Sequence, residues 1–346
     1  MTTVASSLAE RSAPINPRRL TILAGLVAAA AVPLVGNDYW LNSLIVPTIV
    51  MGLAGLGLNL LTGYAGLVSL GSAAFMSIGA FSAYNLLLRV PLLPLPLALV
   101  GAGLIAAFFG ILFGLPSLRI TGFYLSASTL GAQFFLEWLF TNFHWFSNDS
   151  LTLTISAPRL EILGHDLNSP GGRYLLVVGT TVLLYWLGHN IIDSRIGRDW
   201  MAIRDMETAA AVAGIPIGRR KLLAYGVSSF FCGIAGALWA FIYTGGVEAL
   251  AFDIDRSFQI LFMIIIGGLG SILGSFLGAA FIVLLPILLD NAPRLVGLDL
   301  PVNIVSNLQS MIFGALIIFF LIVEPRGLAR LWQLGKEKLR MWPFPY

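Results

Sequence analysis

Long stretches without charged residues alternate with short polar clusters along most of the chain. No Asp, Glu, Lys or Arg lies within residues 39–88, 90–118, 222–247, 257–289 or 300–323. A helix needs about 20 apolar residues to cross the hydrocarbon core of a bilayer, so some of these stretches hold one crossing and others two. The pattern predicts membrane-spanning helices over residues 20–36, 41–61, 70–88, 92–115, 122–145, 174–192, 222–244, 258–270, 271–289 and 303–323.

The composition agrees with this pattern. Hydrophobic residues make up 58% of the 346 positions and charged residues 11%, whereas a soluble domain has about 25% charged residues. So few charges do not cover the surface of a soluble protein, which excludes an ordinary cytoplasmic enzyme, a disordered chain and a nucleic-acid binder. The predicted fold class is an all-α, polytopic integral membrane protein with about ten transmembrane segments.

Positive charge predicts the orientation of the chain in the membrane. Arg11, Arg18 and Arg19 precede the first span, and the positive-inside rule then places the N-terminus in the cytoplasm. The long polar start, with no small-residue cleavage site after the first apolar run, favours a cytoplasmic tail over a signal peptide. The predicted organisation is a cytoplasmic tail over 1–19, a transmembrane domain over 20–323 that includes a basic cytoplasmic loop over 193–221, and a basic cytoplasmic tail over 324–346.

The stretch 257–289 fits either one long tilted helix or two short ones. A single crossing would leave the basic C-terminal tail outside, against the positive-inside rule. Two segments, broken near Gly267, Gly268 and Gly270, place the tail inside and give ten spans. The tail itself fits an interfacial helix or a frayed terminus equally well.

Two glycine-rich segments, residues 63–72 and 267–275, are similar and are each followed by small residues and an apolar helix. Glycine-interrupted segments at corresponding places indicate two related halves that line a transport route. The alternative is close helix packing, which small residues also permit. The candidate pathway residues are Asn59, Gly63, Tyr64, Gly66, Gly71, Ser72, Thr129, Gly267, Gly268, Gly270 and Ser271.

Chemistry for catalysis or ion coupling is sparse. Glu137 is the one carboxylate clearly embedded in a predicted span, and it fits a snorkelling interfacial residue as well as an ion site. No nucleophile–base pair, metal-ligand spacing or GxxxxGK[ST] loop is present, so we expect no catalytic residue, no metal and no cofactor. A carrier of this kind is passive or takes its energy from a partner.

The basic loop offers a surface for such a partner. Residues 200–213 favour helix, Gly214 is a suitable C-cap, and Pro216 prevents continuation. Apolar residues recur at helical spacing among charged ones, namely Trp200, Ile203 and Met206. A short amphipathic helix of this kind lies on the bilayer or docks into a groove on another protein.

This loop resembles the coupling loop of bacterial ABC importer permeases, with Glu207-Thr208-Ala209-Ala210 in the place of the family's EAA-type pattern and Gly214 at the expected distance. More specifically, residues 40–330 resemble the LivM-type permeases of branched-chain amino-acid importers. The similar segments are 57–71, 73–75, 79–80, 122–125, 129–130, 197–214, 267–271 and 324–328. The chain differs from many relatives at Ser72, Thr121 and Thr208.

The resemblance implies an inner-membrane permease subunit and its partners. These are a second, LivH-type permease, two cytoplasmic ATP-binding subunits that hold the ATP, and a periplasmic solute-binding protein. The implied solute is a branched-chain amino acid, with urea, short amides or small organic acids as alternatives, and a stand-alone passive channel as an alternative of another class. The implied ATPase-coupling residues are Trp200, Ile203, Arg204, Glu207, Ala209, Ala210 and Gly214.

Overall fold

A computed structural model describes most of the chain. It covers residues 38–90, 93–118, 123–148, 155–156, 161–162, 165–166, 169–295 and 327–341, together with helical positions 308, 311–312, 314–316, 318–319 and 322. The first predicted span, 20–36, lies outside the described residues, and the last, 303–323, is represented only by those few positions.

Helices make up nearly all of the described chain. They are α1 (Asp38–Tyr64), α2 (Ser72–Arg89), α3 (Leu95–Leu118), α4 (Phe123–Asn142), α5 (Pro170–Asp193), α6 (Arg195–Asp205), α7 (Glu207–Val212), α8 (Ile217–Thr244), α9 (Ile254–Gly267), α10 (Ile272–Leu295) and α11 (Gly327–Met341). A 3₁₀ helix spans Ala249–Phe252. The strands are β1 (Ile155–Ser156), β2 (Glu161–Ile162), β3 (His165–Asp166) and β4 (Gly246–Val247), in the antiparallel pairs β1–β4 and β2–β3.

The all-α, polytopic class predicted from the hydrophobic pattern is confirmed. Among the described residues, five helices are long and apolar enough to cross a membrane: α1, α3, α5, α8 and the Ile272–Leu289 part of α10. Helices α2, α4 and α9 also coincide with predicted spans, with ends that differ by a few residues.

Helices α1 and α8 form the centre of the bundle. Most of α1 and α8 is buried inside the protein, whereas α5 and α3 have largely exposed apolar faces. Small residues permit this packing: a Cβ at Gly57 of α1 would lie 2.8 Å from Phe231 of α8, and a Cβ at Gly110 of α3 would overlap Ser229 of α8. The exposed faces of α3 and α5 are apolar, as expected for contact with lipid.

Residues 257–289 form two helices, as predicted. Helices α9 and α10 are joined by a tight turn over residues 268–271, in which Gly268 and Gly270 have φ angles of 117° and 75°. Gly267 packs against the Gly274 carbonyl and Gly278 against the Met263 carbonyl, so the two helices run antiparallel as a hairpin. A side chain at either position would force the helices apart.

One end of the bundle gathers several of the candidate segments. The C-terminal part of α1, the turn 268–271, the loop helices α6 and α7, and the start of α11 all lie there. A Cβ at Gly327 would lie 2.5 Å from the Gly268 amide nitrogen, which fixes the start of α11 on the hairpin turn. We refer to this end as the α6–α7 face. Helix α8 leads away from it, so β4, which directly follows α8, and its partner β1 lie at the opposite end.

Candidate functional site

Helix α6 is mounted on the transmembrane bundle by its apolar residues. The Ser194 hydroxyl caps its start by accepting a hydrogen bond from the Ile196 amide at 3.1 Å. Trp200 is fully buried and Ile203 is 5% exposed. Trp200 belongs to an apolar cluster with Leu61 of α1 and with Ala224 and Tyr225 of α8. The Trp200 indole N–H also donates to the Arg220 carbonyl, at 2.9 Å. The two residues therefore hold α6 against the bundle.

Two ion pairs tie the loop to the start of α8. Asp199 of α6 lies 2.7 Å from Arg220, and Glu207 of α7 accepts a hydrogen bond from Lys221, also at 2.7 Å. The Lys221 side chain is only 5% exposed. Removing one partner of such a pair strands a poorly solvated charge, so these pairs fix the position of α6 and α7 relative to α8.

The loop contains two helices where the sequence predicted one over residues 200–213. Helix α6 begins earlier, at Arg195, and ends at Asp205, because Met206 is extended with φ −158° and ψ 100°. Helix α7 follows, and its C-cap is Ala213. Gly214, the predicted C-cap, is the next residue and ends the helix in the left-handed conformation, with φ 79°. Trp200 and Ile203 consequently face inward, whereas Met206 is 62% exposed and does not share their apolar face.

Helix α7 presents an exposed apolar surface on the α6–α7 face. Val212 is 91% exposed, and Ala209, Ala211 and Ala213 are exposed beside it. Ala210 is buried and packs α7 onto the rest of the protein. An exposed apolar surface on a rigidly held helix is typical of a docking site for another protein.

Arg204 joins α6 to the first glycine-rich segment. Its Nη1 donates a hydrogen bond to the Gly63 carbonyl, at 2.8 Å, and its other nitrogens bind the neighbouring Asp205 carboxylate. Gly66 has a φ of 71°, and a Cβ there would lie 2.7 Å from Arg204 Cγ. Both the backbone conformation and the contact with the arginine stem therefore require glycine.

Asn59 joins the first glycine-rich segment to the second. The side chain is fully buried. Its Oδ1 accepts from the Gly270 amide at 2.8 Å, and its Nδ2 donates to the Ser271 carbonyl and the Ser275 hydroxyl. A Cβ at Gly63 would overlap both Asn59 Oδ1 and the Gly270 amide nitrogen, so the two segments are in direct contact.

The remaining pathway candidates surround the start of α2. Thr129 Oγ1 accepts from the Leu70 amide at 2.9 Å, and a Cβ at Gly71 would lie 2.8 Å from the Thr129 carbonyl. The Ser72 hydroxyl is buried and has no hydrogen-bond partner among the described residues. Ser257 of α9 accepts a hydrogen bond from the amide of Ala73, the second residue of α2. Ser257 lies ten positions before Gly267, or about 15 Å along α9 from the hairpin turn. Helix α2 therefore starts well inside the bundle.

Two further residues of this region were not among the predicted candidates. The Gln133 Oε1 accepts from the Ala74 amide at 2.8 Å, and the Ser257 Oγ accepts from the Ala73 amide at 2.9 Å. Gln133 also receives a hydrogen bond from Ser257 and donates one to the Phe252 carbonyl. Both side chains are polar and fully buried. In the sequence, the signal that could have found them is a polar residue inside a predicted span (Gln133) or directly before one (Ser257).

The predicted pathway residues thus form two groups. One group, near the α6–α7 face, contains Asn59, Gly63, Gly66, Gly270 and Ser271, and the buried Tyr64 neighbours them in the chain. The other contains Gly71, Ser72 and Thr129, around the start of α2. Gly267 and Gly268 pack within the hairpin and against α11. In the described part of the chain, no group of three or more His, Cys, Asp or Glu residues is placed to hold a metal ion.

Comparison with known proteins identifies the family. Residues 40–321 match the family described as "Branched-chain amino acid transport system / permease component". The chain belongs to this family. It is similar to the high-affinity branched-chain amino acid transport system permease proteins LivM of Salmonella typhimurium (27% identical) and Escherichia coli (28% identical), over 90% of this chain and 75% of each relative.

An archaeal relative is also similar. The probable branched-chain amino acid transport permease protein LivM of Methanocaldococcus jannaschii is 24% identical, over 79% of this chain and 88% of its own length. No solved structure matches the chain significantly. The resemblance inferred from the sequence motifs is confirmed: the chain belongs to the branched-chain amino acid permease family and is similar to its LivM members. Both glycine-rich segments and the α6–α7 loop lie within the matched region.

Proposed function

We propose that this chain is the transmembrane permease subunit of an ATP-driven importer that carries branched-chain amino acids across the bacterial inner membrane. The main support is α7, an exposed apolar helix that the Glu207–Lys221 ion pair attaches to α8, next to α6, which Asp199 and Trp200 attach to the same helix. A passive pore has no need of such a surface, whereas a subunit that is moved by an ATPase requires one. The α6–α7 face is then cytoplasmic, in agreement with its many basic residues.

The proposed partners follow from this role. Two cytoplasmic ATP-binding subunits hold and hydrolyse ATP, one of them docked on α7, and this chain holds no cofactor of its own. A second, LivH-type permease completes the transmembrane pathway, and a periplasmic solute-binding protein delivers the amino acid to the opposite end. The lipid bilayer surrounds the exposed apolar faces of α3 and α5.

In this proposal, closure of the ATPases moves α7, and the loop transmits the movement to α8. Ala209 and the neighbouring Val212 contact the ATPase, and Gly214 ends the docking helix. The pairs of Glu207 with Lys221 and of Asp199 with Arg220 carry the displacement to α8. Trp200, Ile203 and Ala210 keep the loop from moving independently, because their side chains are buried against the bundle.

The solute route in this proposal runs beside the two glycine-rich segments. An amino acid needs hydrogen-bond partners in the membrane, and interrupted helices supply backbone groups for this purpose. Helix α2 starts inside the bundle, so the positive end of its dipole lies within the membrane. The route is bordered by Gly63, Tyr64, Gly66, Gly71, Ser72, Thr129, Gly267, Gly268, Gly270 and Ser271, with Asn59 between the two segments.

Uptake into liposomes that contain the purified complex tests the proposal. We expect uptake of radiolabelled leucine that requires ATP and the solute-binding protein and is inhibited by valine more strongly than by urea or a short organic acid. Stronger inhibition by urea or the acid would change the solute class. Leucine flux through this chain alone, without ATP, would instead show a passive channel.

A single substitution on α7 tests the docking surface. Val212→Glu places a charge on the exposed apolar surface without disturbing the fold, because this side chain is 91% exposed. We expect the affinity for the ATPase to fall by roughly 30-fold, as for the loss of an interface hot spot of about 2 kcal/mol. Gln333→Glu, at an exposed position of α11, is the matched control and should bind normally. Equal binding by both variants would contradict the assignment.

A further inference from the structure

The coupling loop and both glycine-rich segments meet at one set of contacts. We call this set the Arg204 joint. It consists of Arg204 on α6, Gly63 and Gly66 after α1, Asn59 within α1, and Gly270 in the hairpin turn. These residues come from three separate parts of the chain, and each contacts at least one other member.

Within the Arg204 joint, the contacts of Arg204 couple the position of Gly63 to that of α6. The bond from Arg204 Nη1 to the Gly63 carbonyl is 2.8 Å long, and a displacement of α6 by about 1 Å away from it would exceed hydrogen-bonding distance. Displacement in the other direction is blocked, because the arginine stem already lies against Gly66. A movement of α6 therefore displaces this segment or breaks the bond.

The second half joins the hairpin turn to α1. Asn59 uses both amide hydrogens and its carbonyl oxygen in bonds to Gly270, Ser271 and Ser275. The side chain is fully buried, so separation of the two segments would leave polar groups without partners in an apolar environment. The turn 268–271 is therefore held to the end of α1.

The joint also leaves no passage between the two segments. Gly63 touches Asn59 and the Gly270 backbone so closely that not even a methyl group fits between them. A solute that runs between these segments requires them to separate. In the conformation observed here, the α6–α7 end of the proposed route is closed.

We infer that the Arg204 joint is the gate at the α6–α7 end of the solute route: Arg204 transmits the movement of the coupling helix to the first glycine-rich segment, and Asn59 holds the second segment against it until that movement separates them. This inference rests on the proposed function. Arg204 acts as a positioning residue, because it bonds the gate backbone and not the solute.

Arg204→Met tests the transmission step. Methionine retains an apolar stem over Gly66 and removes the donor to the Gly63 carbonyl. In the reconstituted complex, we expect ATP-dependent uptake to fall by roughly 5- to 150-fold, the usual range for coupling between two sites. Complex assembly and ATP hydrolysis should stay close to wild type. Arg204→Lys keeps a donor on a flexible stem and should restore part of the uptake.

Arg195→Gln is the matched control, since Arg195 is an exposed arginine on the same helix. Asn59→Leu is the second variant: loss of the bonds to the hairpin turn should raise the leak of solute without ATP. The gate is disproved if Arg204→Met transports like Arg195→Gln, or if hydrolysis and uptake fall together. Absence of ATP-dependent uptake in the wild-type complex would instead disprove the proposed function.

Discussion

Glycine is required at the first glycine-rich segment for two different reasons. At Gly63 it is the close approach of Asn59 and the Gly270 backbone, and at Gly66 it is a left-handed conformation together with the stem of Arg204. The sequence left packing and a transport route as alternatives for these glycines. The contacts show that close packing occurs at the positions that the proposed route borders, so the two roles are compatible.

Gly66→Ala tests the requirement at the residue scale. A Cβ in the left-handed region costs about 1–2 kcal/mol, and here it also meets Arg204. We expect a lower midpoint of thermal unfolding in detergent. Gly131→Ala, in α4, is the control: a Cβ there has nothing within 4 Å, and alanine favours helix over glycine by about 0.5–1 kcal/mol. An unchanged midpoint for Gly66→Ala would contradict the assigned contact.

Polar side chains within spans were only partly predictable. Asn59 and Thr129 were identified because they are polar residues near a glycine-rich segment, but their hydrogen-bond partners were not. Asn59 bonds residues more than 200 positions away, and Gln133 bonds Ser257 over 124 positions. Periodicity and local motifs carry no information about such pairs, because they depend on how distant helices pack.

At the scale of elements, tertiary contacts override local helix propensity in the coupling loop. Residues 200–213 favour helix throughout, yet the helix is interrupted at Met206. The interruption turns α7 so that Glu207 reaches Lys221 on α8, and this directs Val212 away from the bundle. The sequence predicted a helix that ends at Gly214. It did not predict the break at Met206, which separates α6, buried against the bundle, from α7, whose apolar surface is exposed.

Gly214→Pro tests the role of Gly214 at the end of α7. Proline fixes φ near −65°, whereas Gly214 has a φ of 79°, and proline lacks the N–H that bonds the Ala211 carbonyl. The end of α7 should unwind, and uptake should fall sharply while the transmembrane fold and ATP hydrolysis persist. Gly214→Asn, which tolerates the left-handed conformation, should transport nearly normally. Normal transport by the proline variant would contradict the role assigned to α7.

For the whole molecule, the charge pattern and the structure both place the basic C-terminal helix on the same face as the α6–α7 loop. The positive-inside rule required an even number of spans, and therefore two helices within 257–289; the structure has α9 and α10 there. The contact of Gly327 with Gly268 places the start of the basic C-terminal helix beside the hairpin turn, on the face that also carries α6 and α7. The described helices that coincide with predicted spans were predictable because they lie in long hydrophobic stretches, whereas the contacts between helices leave no such pattern in the sequence.

This arrangement predicts the sidedness of both ends of the protein. In a Cys232→Ala background, single cysteines at Arg195 and at Lys338 test the α6–α7 face and α11, and Leu250→Cys tests the opposite end, where Leu250 is 62% exposed. An impermeant thiol reagent added to intact cells should label the cysteine at position 250, and should label those at 195 and 338 only after the membrane is permeabilised. Labelling at 338 but not at 195 in intact cells would place α11 and the α6–α7 face on opposite sides of the membrane. That result would contradict the packing of Gly327 on the hairpin. Labelling at both, with protection at 250, would invert the orientation, because the basic residues of the loop would then lie outside the cell.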